Sequence, residues 1–385
     1  MYINLWYVAA YTEDLKDQPV KVRILNRDFV LFRDDQGKAV CLSNVSPHRG
    51  VSLSQGKVFE DGTIECPQHG WRFAGDGRCT LIPSQGNSWL ENPIKDLPGA
   101  KVDSYPTHEE HGFIWAFLGD EPEAAPPIID MPEIDQPGYR WVPHGEIWNA
   151  NYHYCTFADI DLVHVPIVHA MAFNDDFTPV EEIRRPDEYT VESICRPAPD
   201  RPVGNWKDVR EVGQNIESTL TFQISGFMLK GAVEMGGKGS GTFLTFYSAS
   251  TPIDHETTYM RYLFGRNWLT DPKHDEETVN RNLKNVREDR AMAEGQMPKS
   301  GPLPPSGNDL VIEPEDYLMK GYWEIVERHS AKGWQIDTAA LDQLNRPGER
   351  YHVIPSPGRK ADPKNWVHPT VPTIDPSSFT KAAAE

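Results

Sequence analysis

Apolar residues in the first third of the chain cluster or alternate over short runs bounded by turn residues, and the pattern predicts strands at 20–25, 29–33, 39–42 and 112–118. Asp34-Asp35-Gln36-Gly37 and Ala74-Gly75-Asp76-Gly77 read as turns between them. The region reads as a small all-β unit built to present loops. An acidic, Pro-rich stretch at 119–127 follows and reads as a linker, because proline restricts the backbone and removes a donor. Beyond it, strand patterns recur at 219–224, 241–247 and 257–264. The spacing predicts one long helix over 276–294, rich in helix formers and free of proline, and another over 315–328. Strands grouped with a few long helices make the chain α+β, with domains at 1–120 and 121–385. The tail from Arg359 onward is Pro-rich and polar, and is expected to run irregularly over the surface.

The 385 residues are 38% hydrophobic and 25% charged, which suits a globular chain of two domains. A formal net charge of −19 argues against nucleic-acid binding, which needs a basic surface; it fits either a basic docking partner or a plain solvated acidic face. No apolar run approaches the ~18 residues of a membrane span. The start, Met1-Tyr2-Ile3-Asn4-Leu5-Trp6, lacks the layout of a signal peptide. Five scattered cysteines (Cys41, Cys66, Cys79, Cys155 and Cys195) do not make a disulfide framework, and the expectation is a reducing cytoplasm.

Two stretches carry metal-ligand chemistry. The first pairs Ser46-Pro47-His48-Arg49-Gly50 with Cys66-Pro67-Gln68-His69-Gly70-Trp71. Thiolate and imidazole suit zinc or an iron–sulfur cluster, the prolines stiffen the loops, and Gly50 and Gly70 permit tight turns beside a bulky group. A lone Cys-x-x-His is weak; two loops with matching Pro and Gly are a strong signal. The bland alternative makes His48 and His69 ordinary turn residues.

The second stretch is Asp161-Leu162-Val163-His164-Val165-Pro166-Ile167-Val168-His169. Two His plus a distant carboxylate make the facial triad of non-haem Fe(II) oxygenases. In a regular helix, positions five apart diverge by about 140°, so a kink near Pro166 is expected to converge them. Asp289 is the candidate carboxylate, on a helix whose Val286, Ala293 and Met297 form a buried stripe, with Glu288 facing out. Read blandly, these His are core or surface histidines and Asp289 belongs to a plain acidic face.

Together these residues resemble the oxygenase component of Rieske non-haem iron oxygenases, over nearly the whole chain. The segment 251–258 looks like the family's strand before its iron-bearing helix, and Leu5-Trp6-Tyr7-Val8-Ala9 is similar to the vanillate O-demethylase-like branch. The resemblance implies an N-terminal all-β Rieske domain with a [2Fe–2S] cluster at positions 46, 48, 66 and 69 (Ser46, His48, Cys66 and His69). It implies a helix-grip catalytic domain, antiparallel sheet plus helices, with mononuclear Fe(II) at His164, His169 and Asp289. It further implies O2 as co-substrate, electrons from NAD(P)H through a reductase or ferredoxin, a homotrimer, and an aromatic or polycyclic substrate that is hydroxylated or O-/N-demethylated. By the same resemblance Asp161 bridges a cluster His of one subunit to an iron His of the next; it also reads as a helix N-terminal cap.

The family has Cys where this chain has Ser46. Three explanations stand: a Cys-to-Ser variant impaired in cluster binding, a cluster with an oxygen ligand, or a homologue that has lost redox function. A rival reading is a helix-grip protein that binds a small molecule, with a redox-dead Rieske domain as scaffold. Phe157, Met171, Phe173, Phe222, Phe227, Met228 and Phe243 are candidates for an apolar pocket, or simply core.

Overall fold

The computed structural model describes residues 1–85, 97–161, 163–169, 180–195, 217–235, 239–301 and 316–377. The chain divides into two units, one made of 1–127 together with 330–385, the other of 128–329.

In the first unit, β1 (Leu5–Tyr11), β11 (Phe113–Leu118) and β10 (Thr107–Glu110) form a three-stranded sheet in the order β1-β11-β10. A second sheet runs β2 (Val20–Ile24), β3 (Arg27–Arg33), β4 (Ala39–Ser43) and β9 (Ser104–Tyr105). A third is built from very short strands, β5 (Lys57–Val58), β6 (Ile64–Glu65), β7 (Arg72–Phe73) and β8 (Cys79–Leu81). Val30, Phe32, Val40, Leu42, Leu53, Ile64, Phe73 and Val102 pack between them as a core that includes Cys66 and Cys79. All five cysteines are buried and outside any disulfide.

The boundary expected after residue 120 falls after Pro127, and 330–385, expected in the second domain, belongs to the first unit. From Arg359 onward the described chain is mostly irregular and exposed, as expected, with Val371 buried. The segment before it carries apolar side chains that need cover, and Trp334, Ile336, Leu341, Val353 and Ile354 are buried. Ile336 N–H donates to the Met1 carbonyl at 2.9 Å, and Ile3 N–H to the Trp334 carbonyl at 2.8 Å. Arg359 turns inward: its Nε and Nη2 donate to the two carboxylate oxygens of buried Asp103 at 2.6 and 2.8 Å, and Ser356 Oγ adds a bond of 2.6 Å. Trp366 lies between the Arg359 guanidinium and the Lys101 ammonium, 4.5 and 4.3 Å from its ring centre.

The second unit is a seven-stranded antiparallel sheet in the order β12-β18-β17-β16-β15-β14-β13. The strands are β12 (Arg140–Trp148), β13 (Val180–Asp187), β14 (Thr190–Cys195), β15 (Ser218–Gln223), β16 (Met228–Glu234), β17 (Phe243–Pro252) and β18 (Thr258–Arg266). The segment 251–258, read as one strand before the helix, is instead the hairpin that closes β17 onto β18: Ile253 N–H and Asp254 N–H both donate to the Thr257 carbonyl. α1 (Tyr152–Ile160) and the long α3 (Asp275–Gly295) pack on this sheet and on each other, with α2 (Val165–Val168) between them in sequence. α4 (Tyr317–Ser330) follows. Among the described residues, no helix is long and apolar enough to cross a membrane.

α1 starts where Asn151 caps it, accepting from His153 N–H at 2.9 Å while its amide donates to the His255 and Ser300 carbonyls. α3 is pinned at both ends. Asp275, in an acidic first turn that suits the helix dipole, ion-pairs with Arg140 on β12 (2.5 Å) and with Arg266 on β18 (2.8 Å). At the other end Glu294 accepts from Asn149 N–H at 2.9 Å and from Arg290 at 2.8 Å. The anchored helix buries Leu283, Val286, Asp289 and Ala293; Met297, expected on that stripe, lies past the helix end and is 72% exposed.

Candidate metal centres

The two loops of the first unit are the same hairpin twice. Ser46 N–H donates to the Val51 carbonyl at 2.9 Å, as Cys66 N–H does to the Trp71 carbonyl at 2.7 Å. Gly50 N–H returns to the Ser46 carbonyl at 2.9 Å, as Gly70 N–H does to the Cys66 carbonyl at 3.0 Å. Val45 bridges Ser52 just as Glu65 pairs with Arg72. Gly50 and Gly70 take φ of +74° and +71°, the left-handed conformation that glycine adopts without strain. Position 46 is therefore the structural counterpart of Cys66, and both side chains are buried.

The His48 and His69 rings meet at 4.6 Å, and Trp71 stacks on His48 at 4.7 Å with the planes 9° apart. Desolvation, then the neighbouring His69 and Arg49, hold His48 below its ordinary pKa, which favours the neutral form that ligates metal. His48 Nδ1 is buried with no hydrogen-bond partner, as a nitrogen reserved for a metal would be. Among the described residues, the triad of the second unit is the group of three His, Cys or carboxylate donors close enough to share one ion. His48, His69 and Cys66 are not such a group, which suits donors divided between two irons better than a single zinc. These three fit a Rieske cluster; the fourth position offers a serine oxygen.

In the second unit α1 stops at Ile160, and Asp161 caps its C-terminus, its N–H donating to the Phe157 carbonyl at 3.0 Å. Asp161 is thus not an N-terminal cap. Its Oδ1 accepts from Val163 N–H at 2.8 Å and its Oδ2 lies 3.4 Å from His164 Nδ1. The histidines do not converge through a kinked helix. They flank α2, a single helical turn held by Val168 N–H on the His164 carbonyl (2.8 Å) and His169 N–H on the Val165 carbonyl (3.0 Å). Pro166 sits at the start of this turn, where no backbone donor is needed.

His164 Nε2, His169 Nε2 and Asp289 Oδ1 form a small triangle with sides of 3.2, 3.3 and 2.9 Å. Ligands about 2.1 Å from one ion at right angles stand about 3.0 Å apart, so the three can share one face of an iron. A carboxylate that is 9% exposed, facing two imidazoles, is otherwise an expensive arrangement. Glu288, expected to face out, instead accepts from His169 Nδ1 at 2.8 Å, so one imidazole spans two adjacent helix residues. Burial opposes charge on His164, but hydrogen bonds to Asp161 and Asp289 outweigh it and raise its pKa to about 9; Asp289 and Glu288 raise His169 in the same way against burial.

Phe157, Phe222, Phe227 and Met228 are buried, and the three phenylalanines pack with Tyr322 as aromatic core. Phe243 is half-buried. Met171 and Phe173 lie outside the described residues.

Residues 5–106 match the Rieske [2Fe-2S] domain, and residues 148–315 match the vanillate O-demethylase oxygenase C-terminal domain. The chain is 36% identical over 174 residues to chlorophyllide a oxygenase of Arabidopsis thaliana, covering 44% of this chain and 30% of that one. It is 32% identical over 170 residues to a vanillate O-demethylase oxygenase subunit from a Pseudomonas strain, covering 43% and 45%. These alignments span less than half the length of either relative. Among solved structures, NdmA of Pseudomonas putida CBB5 with caffeine superposes with a TM-score of 0.72 at 21% identity, over 85% of this chain and 91% of that one. Dicamba monooxygenase bound to dicamba gives 0.70 at 21%, over 86% and 98%. At that identity the likeness is one of fold. The chain thus carries a Rieske [2Fe-2S] domain followed by a vanillate O-demethylase oxygenase C-terminal domain, the two domain types of a Rieske oxygenase.

Proposed function

We propose that the chain is the terminal oxygenase component of a Rieske-type monooxygenase, which hydroxylates or O-/N-demethylates an aromatic or polycyclic small molecule with O2 and electrons from a reductase or ferredoxin. The observation that carries the reading is the convergence of His164, His169 and Asp289 within hydrogen-bonding distance of one another. When bound, the iron supplies dioxygen activation and the cluster supplies the electrons. The chain's own residues do the rest. Three ligands on one face leave the opposite face for dioxygen and substrate. Glu288 fixes the ring of His169 through Nδ1 and so aims Nε2 at the metal position; Asp161 is placed to do the same for His164. In a homotrimer Asp161 would also reach a cluster His of the neighbouring subunit. The relatives include a vanillate O-demethylase oxygenase subunit and the oxygenase component of a chloroacetanilide N-alkylformylase, which supports a ring compound with an O- or N-linked alkyl group as substrate. A cytoplasmic location fits cysteines that are not paired in disulfides.

Ser46 favours a second reading, in which electron entry is impaired and the second unit binds its small molecule without oxidising it. Oxygen uptake decides between them. A Ser46→Cys form loaded with iron and sulfide, given a reductase, NADH and a panel of aromatic methyl ethers and N-methyl amines, should consume O2 and release formaldehyde or a hydroxylated product. Iron-independent binding of a panel compound, with no oxygen uptake in that form, would establish the binding protein instead.

A further inference from the structure

We propose that Ser46 is itself a cluster ligand. Its Oγ, as an alkoxide, takes the position held on the other hairpin by the Cys66 thiolate, so that the cluster has one Cys, one Ser and two His ligands and a midpoint potential below that of a two-thiolate form. This rests on reading the first unit as a Rieske domain.

The backbone gives the placement. Two hairpins matched bond for bond set positions 46 and 66 alike, and Ser46 is 1% exposed, so its hydroxyl points into protein and not into solvent. The His48 N–H is directed at Ser46 Oγ at 3.4 Å, a long bond that leaves the oxygen free to take a stronger partner. No other thiol replaces it. Cys41 lies mid-strand on β4, paired with Leu31 and Tyr105, and burial pushes its thiol up, away from the ligating thiolate. Cys79 Sγ is turned to the Leu81 carbonyl at 3.4 Å, and burial pushes it up to about 11. On ligation the Oγ–H bond breaks, its proton passes to water, and an Oγ–Fe bond forms with no electron transferred. An alkoxide is a harder, more localised donor than a thiolate, so it favours the ferric state and lowers the potential.

The test is anaerobic reconstitution of the full chain with ferrous iron and sulfide, alongside Ser46→Cys and Ser46→Ala forms. Labile sulfide, visible absorption, the EPR spectrum after dithionite reduction and a mediated potentiometric titration are read for each, with circular dichroism as the folding control. The Ser46 chain should hold about two sulfides. Its midpoint should lie below that of the Ser46→Cys form with a shifted EPR spectrum, and Ser46→Ala should fold but lose most of its sulfide. A Ser46→Ala form with the same sulfide content and potential as the Ser46 chain would overturn the proposal. So would a Ser46 chain without sulfide beside a Ser46→Cys form that is loaded. If Ser46→Cys also takes up none, the Rieske reading falls with it. A loaded cluster with no additional iron at His164, His169 and Asp289 would sink the proposed oxygenase function and leave the serine ligand standing.

Discussion

The two candidate metal centres are built on opposite plans. The proposed cluster ligands lie close together in sequence, on two copies of one hairpin whose backbone bonds set each position whatever side chain stands there. The proposed iron ligands come from either side of a single helical turn and from a helix more than a hundred residues later. Their meeting depends on the packing of α1 against α3 and on the ion pairs that pin α3 to β12 and β18. A hairpin site should keep its shape when one ligand side chain is exchanged for another, as position 46 illustrates. An assembled site should respond to changes at its supports as well as at its ligands.

The largest effect should come from Asp289→Ala. It removes the one carboxylate of the triangle and leaves two imidazoles, too few to hold iron on a face. Metal analysis of the purified protein should show the mononuclear iron gone and the labile sulfide of the first unit unchanged. If iron remained at full occupancy, the triad would not be the iron site and the comparison would collapse.

The next largest tests whether the hairpin site is as self-sufficient as its ligand spacing implies. Asp103 is nearly fully buried and satisfies Arg359 through two bonds. Asp103→Ala strands that guanidinium and should cost about 3 kcal/mol, as removal of one partner from a buried pair does. Denaturant melts of the full chain read this as an earlier transition of the unit that holds the hairpins. A loss below about 0.5 kcal/mol would mean that the C-terminal segment merely rests on the first unit.

What the sequence made legible follows the same division. The hairpins are readable because Pro and Gly recur at the same offsets in both loops with a His between them, and the strands because their apolar runs are short and bounded. The long helix was readable to within a residue at either end. What depends on tertiary placement was not. Glu288 sits on the exposed side of the apolar stripe, and no periodicity could show that a histidine from another element reaches over to meet it. The segment 251–258 has strand composition on both sides of a turn that only the register of β17 against β18 reveals. The tail's polar residues do mark surface, and the exception is Arg359, whose partner Asp103 lies far away in sequence.

Glu288 gives a smaller and more specific test of the assembled site. Glu288→Gln keeps the size and a hydrogen-bonding end but removes the charge that supports His169 Nδ1. Changes of this kind to the partner of a ligating histidine cost about 10–100-fold in metal affinity. Equilibrium binding of cobalt(II), a spectroscopic stand-in for iron(II), should weaken in that range while the fold is retained. An unchanged affinity would return Glu288 to the solvent-facing role its position in the stripe suggested.

Per pH unit, the dependence of that affinity on pH should be at the low end of the same range. His164 binds its proton more tightly in the fold than an ordinary histidine, with its pKa raised to about 9 by Asp161 and Asp289 against the opposing effect of burial. The proton's contribution to stability of the metal-free protein is fully present below about pH 6.5 and is lost as pH rises through about 9. A metal competes with this proton, so each pH unit between about 7 and 9 should tighten binding about tenfold for the one proton displaced, and melting of the metal-free chain should fall over the same window. Cobalt titrations at pH 6.5, 7.5 and 8.5 read the slope directly. A flat affinity across that range would mean that His164 is already neutral, and that Asp161 and Asp289 hold their imidazole by geometry and not by charge.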